Sequence, residues 1–150
     1  MNATHEYIDI LQDLIASNRD AQQGYQDAAV HVNNPELKAF FNQQSIERAQ
    51  FAGVLEQEVQ HLGESDPKRS GTVAGALHRA WFDLKTKFSS DDHSVLESVE
   101  AGEDRARSAY EKAATADLPE NLRKIVQGQY QHVLEGHDRV RSLRDGLKAA

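Results

Sequence analysis

A chain of 150 residues with 24 acidic and 17 basic side chains carries a formal charge of −7, the wrong sign for a protein that grips a phosphate backbone. Hydrophobic residues make up 39% and charged residues 27%, the balance of one folded domain over 1–150 rather than of a disordered chain. No cysteine is present, so disulfides, thiolate zinc sites, iron–sulfur clusters and cysteine nucleophiles are excluded.

The start, Met1 to Glu6, has neither the basic segment nor the apolar run of a signal peptide, and no stretch approaches the ~18 apolar residues of a membrane span. A cytoplasmic protein without membrane or nucleic-acid partners is expected.

Apolar spacing is helical along the chain, and Pro35, Pro67 and Pro119 stand where it breaks. A first helix is predicted over 4–32, with Tyr7, Leu11, Leu14, Asn18, Ala21, Tyr25, Ala28 and Val32 in alternating steps of four and three, the seam of a bundled helix. Asn33-Asn34-Pro35 forms a turn with Asn34 as N-cap. A second helix follows over 35–62, its seam passing through Leu37, Phe41, Gln44, Arg48, Phe51 and Leu55 before Gly63 offers a stop. Residues 63–69 read as a polar linker and 70–88 as a shorter helix. A long helix over 92–116 places Leu96, Val99, Glu103, Ala106, Tyr110 and Ala113 on one face, and a last one over 119–147 does the same with Leu122, Val126, Gln129, Val133, Gly136 and Val140.

Short connections inside each pair force antiparallel hairpins, whereas the segment 63–91 is long enough to cross a bundle. The expected fold is all-α, a ferritin-like up-down four-helix bundle of two hairpins joined by a crossover with its own helix. Tyr25-Gln26-Asp27-Ala28-Ala29 recurs as Tyr110-Glu111-Lys112-Ala113-Ala114, which agrees with two related hairpins.

The helix midpoints carry Asn18, Asp20, Arg48, Glu103 and His132, and a charge on a seam is costly unless paired. Di-iron bundles take a Glu from each of two helices and a Glu-x-x-His from each of the other two. Here Asn18 replaces one Glu, and Glu47-Arg48-Ala49-Gln50 and His132-Val133-Leu134-Glu135 do not supply the motif. The favoured reading puts Arg48 where metals would lie, paired with Glu103 and hydrogen-bonded by Asn18, Gln44, Asp20 or His132, with no cofactor and no catalytic residue. The alternative is an iron-binding oxidoreductase using Glu103, His132 and Glu135. Gly24, Gly102, Gly128 and Gly136 inside helices, each costing ~1 kcal/mol against alanine, permit close helix approach or leave space for a small apolar ligand, close packing beside Tyr25, Tyr110 and Tyr130 being the plainer account. Trp81, Phe82 and Phe88 crowd the crossover helix, marking it as a surface for a protein partner or a second copy.

Taken together, the stretch from Gly75 to Lys85 (Gly-Ala-Leu-His-Arg-Ala-Trp-Phe-Asp-Leu-Lys), Gly102-Glu103-Asp104 with Tyr110, and His137 to Asp145 (His-Asp-Arg-Val-Arg-Ser-Leu-Arg-Asp) resemble an uncharacterised bacterial family. Arg19-Asp20, Gly24-Tyr25 and Glu47-Arg48 with Phe51 resemble it too. That family is described as ferritin-like four-helix-bundle proteins with a domain of unknown function. The resemblance covers nearly the whole chain and implies the ferritin-like fold and a bacterial source. It supplies no activity, so the expectation is a non-enzymatic protein acting through self-association or a protein partner.

Overall fold

The computed structural model describes residues 3–63 and 91–149. Within them lie four helices and no strand: α1 (Ala3–His31), α2 (Pro35–His61), α3 (Asp92–Ala114) and α4 (Glu120–Ala149). The short helix expected at 70–88, with Trp81, Phe82 and Phe88, lies outside the described residues.

Local chemistry accounts for each boundary. Asn34 caps α2, its Oδ1 accepting from Glu36 N at 2.8 Å and Leu37 N at 3.2 Å, with Pro35 in the first turn. Lys38 Nζ donates to Ala29 O at 2.7 Å, satisfying a carbonyl at the end of α1. α2 stops where Gly63 takes φ +103°, a left-handed conformation that side chains resist. Asp91 caps α3 through Ser94 N at 2.7 Å. α3 ends two residues before the predicted 116, because Thr115 and Ala116 turn back, Thr115 Oγ1 donating to Lys112 O at 3.0 Å.

The Asp92 carboxylate joins the two hairpins, its Oδ1 accepting from Asn33 N at 2.9 Å and its Oδ2 from Asn34 N at 3.0 Å. α3 therefore begins beside the α1–α2 turn, at the end of the bundle opposite to where α2 stops. α1 runs antiparallel to α2 and to α3, and α3 antiparallel to α4. The main helix contacts are α1 on α2, α3 on α4 and α1 on α3, while α2 and α4 barely touch.

The apolar core is divided. One cluster, built around Tyr25, Phe41, Leu96 and Val140, fills the end with the α1–α2 turn. A second, around Leu14, Leu55, Tyr110 and Leu122, fills the opposite end. Between them the inward positions are polar.

Candidate functional site

Four helices meet at this level, and each contributes a side chain that a hydrocarbon core would not choose. The seam positions at the helix midpoints are Asn18 on α1, Gln44 and Arg48 on α2, Glu103 on α3 and Gln129 on α4, all buried. Arg48 and Glu103 have side chains with 0% exposure. Arg48 Nη2 donates to both Glu103 oxygens, at 2.7 and 2.6 Å. The guanidinium also lies over the Tyr25 ring, 5.8 Å from its centroid, a cation–π contact strengthened by the burial of both side chains.

Burial works against the Arg48 charge, but the Glu103 carboxylate, and then Tyr25, outweigh it and hold its pKa above the usual arginine value. Burial, and then the Glu103 carboxylate, push the Tyr25 hydroxyl well above the ordinary tyrosine range. Burial also raises Tyr110, although the Asn18 hydrogen bond and Arg48 oppose it.

A second chain of hydrogen bonds crosses the bundle beside the ion pair. Asn18 Nδ2 donates to Leu14 O at 2.8 Å and to the Tyr110 hydroxyl at 2.6 Å. Tyr110 in turn donates to Gln129 Oε1 at 2.6 Å, and Gln129 Nε2 donates to Phe51 O at 3.4 Å. Asn18, Tyr110 and Gln129 all occupy predicted seam positions, yet sequence reasoning did not join them. A polar residue on each of three neighbouring seams was the available signal.

Two placements differ from the sequence reading. His132 leaves the polar layer: its side chain is 55% exposed, its Nδ1 is 4.0 Å from Glu47 Oε2 and from Glu135 Oε2, and its ring rests 5.9 Å from that of Phe51. One residue before the seam position Val133 is about 100° around the helix, which swings His132 into a cleft of about 270 Å³ between α2 and α4, with Glu47 and Glu135. Glu103, His132 and Glu135 are therefore not brought together, and among the described residues no three His, Asp or Glu side chains are arranged to hold a metal ion. Second, neither Asn18, Gln44 nor Asp20 hydrogen-bonds the guanidinium, whose Nε and Nη1 make no hydrogen bond. Asp20 is half-buried and makes an interaction of its own.

Gly136 explains how α4 fits against this layer. A Cβ there lies 2.9 Å from Gln44 Oε1 and 3.3 Å from Glu103 Oε2, so only glycine lets the backbone pass without displacing them. Gly128, by contrast, is exposed with nothing within 4 Å of a Cβ, so close approach does not account for it.

Farther along α4, the buried His137 meets Asp104 Oδ1 at 2.6 Å through Nε2. Glu100 on α3 takes Arg141 Nε at 3.3 Å together with Arg144 Nη1. These pairs tie α4 to α3.

The buried tyrosines make the fold sensitive to alkali. An ordinary tyrosine ionises near pH 10. Tyr25 and Tyr110 keep their protons to higher pH when folded than when unfolded. Stability, full below about pH 10, is expected to fall above it by up to ~1.4 kcal/mol per pH unit for each tyrosine. Urea unfolding across a pH series reads this slope, and Tyr110→Phe is expected to halve it; a profile unchanged by the substitution counts against the assignment.

No helix among the described residues is long and apolar enough to cross a membrane. No curated protein matches the chain. The profile of a family described as "Domain of unknown function (DUF2383)" matches residues 6–116. That span takes in α1, α2 and α3 and stops before α4, which brings Gln129 and Gly136 to the polar layer. With well over half its length matched, the chain belongs to the DUF2383 family.

Proposed function

We propose that the protein is a ferritin-like bundle whose centre is a structural ion pair in place of a di-iron site, and that it acts by binding protein rather than by catalysis. The observation that carries this reading is the fully buried Arg48–Glu103 pair. Di-iron chemistry needs four carboxylates and two imidazoles converging from four helices. At this level the helices supply one carboxylate, two amides on α1 and α2, a third amide on α4 and a permanent cation. That donor set does not fit a pair of iron ions, and Arg48 repels any divalent cation approaching Glu103. The α3-start-to-α1-turn geometry set by Asp92 supports the two-hairpin, ferritin-like connectivity. A cytoplasmic, bacterial setting is part of the same proposal, supported by the cysteine-free composition and the family resemblance.

The test is ferrous iron added anaerobically to tag-free protein, followed by desalting, metal analysis and exposure to air. The expected result is no retained iron and oxidation at the protein-free rate. Two iron atoms per chain, lost in Glu103→Ala, would overturn the reading in favour of an iron-handling oxidoreductase.

A further inference from the structure

The outer face of α2 is unlike the exposed faces of α3 and α4. From Ala39 to Gln57 its exposed residues are Ala39, Asn42, Gln43, Ile46, Gln50, Val54 and Gln57, and none carries a charge. Ile46 and Val54 are large apolar side chains left 54% and 40% exposed. The charged residues of the same stretch turn elsewhere: Arg48 to Glu103, Glu56 to Arg19 at 2.9 Å, and Glu47 into the α2–α4 cleft. The exposed positions of α3 and α4 are of the opposite character, with Asp104, Arg105, Glu111 and Lys112 on one and Glu135, Asp138, Arg139 and Asp145 on the other.

This neutral face also has a period. Ala39, Gln43, Ile46, Gln50, Gly53 and Gln57 advance in alternating steps of four and three, a second seam on the side of α2 turned away from the core. At Gly53 a Cβ has nothing within 4 Å, which leaves room for another helix backbone to come close.

We infer that this face is the contact between two copies of the chain, α2 packing antiparallel against α2 of the second copy about a two-fold axis. The occupant follows from charge and symmetry. Two chains of formal charge −7 repel one another, and least where the approaching surfaces are uncharged. A two-fold contact needs a patch complementary to itself. Glutamine amides both donate and accept hydrogen bonds and so pair with their own kind, while Ile46 and Val54 bury aliphatic surface. A charged partner would dock on the charged faces of α3 and α4 instead, and a membrane surface calls for the lysines and arginines this face lacks. The seam is roughly 27 Å long at 1.5 Å per residue, at the small end for a specific interface, so the dimer is reversible and concentration-dependent. The inference rests on the non-catalytic reading above.

The test is analytical ultracentrifugation of the full chain across the micromolar range and above. Wild-type mass is expected to climb with concentration toward that of a dimer. Ile46→Glu, at a solvent-facing site, is expected to keep the wild-type helical circular dichroism and weaken association by at least about tenfold, or ~1.4 kcal/mol. Gln50→Glu and Gln50→Lys are each expected to associate poorly alone, and their equimolar mixture to recover association through opposite charges. A wild type that stays monomeric throughout, an Ile46→Glu variant that associates normally, or a mixture without recovery overturns the inference. The iron assay can fail or succeed without moving the sedimented mass, so the two readings fall separately.

Discussion

Replacing Glu103 by alanine is expected to lower the unfolding free energy by about 3–5 kcal/mol, measured by urea denaturation at neutral pH. Arg48 has no exposed surface, and a guanidinium does not shed its proton in a protein, so the charge stays behind without a partner. Among the described residues its Nη2 bonds Glu103 alone, and Nε and Nη1 have no hydrogen bond to fall back on. The stranded cation, rather than the missing carboxylate, sets the cost. It follows that replacing both partners, Arg48→Met with Glu103→Leu, is expected to recover the loss and to match or exceed wild-type stability, by up to about 4 kcal/mol. A double variant as unstable as the single one would mean that the layer does more than neutralise itself, and would reopen the case for a bound ligand at Glu103.

Gly136→Val is the second large effect expected, a loss of about 3 kcal/mol in the same assay. Overpacking a filled core costs about 1–3 kcal/mol, and here the branched side chain also drives Glu103 Oε2 away from Arg48. Gly136→Ala is a milder case. Its Cβ meets first the far end of Gln44, which can yield, and the helix gains about 1 kcal/mol from losing glycine, so stability near wild type is expected. Gly128→Ala has the propensity gain and no neighbour to displace, and is expected to stabilise by up to about 1 kcal/mol. Equal responses at 128 and 136 would contradict the close approach of α4.

The helices were legible because apolar residues recur in the period of a packed helix, and because Asn34, Pro35 and Gly63 carry specific backbone chemistry at their ends. Arg48 and Glu103 were legible for the complementary reason: on a seam of otherwise apolar residues, a charge needs an opposite charge at the same height. Height along a bundle is easily read from sequence; direction around each helix is less so. His132 lies near the expected height but one residue off its seam, and that offset takes it from the interior to the solvent. Hydrogen-bond partners are harder still. Asn18 could have met Arg48 as easily as Tyr110, and only the distances between helices decide between them. Gly136 was noticed for its helix cost, but which atoms stood opposite it depended on the α4 backbone position.

The loose contact between α2 and α4 has a dynamic consequence. With α1 packed on both α2 and α3, and α4 on α3, three of the four edges among the described helices are closed like a spine and two covers, and the fourth is where the covers part. Among the described helices, small outward swings of α2 and α4 rupture few contacts, so thermal breathing is expected to concentrate along that edge. The Glu103 carboxylate lies just behind Gly136 on the same side. Local opening along this edge is therefore expected to expose the ion pair while both apolar clusters stay packed.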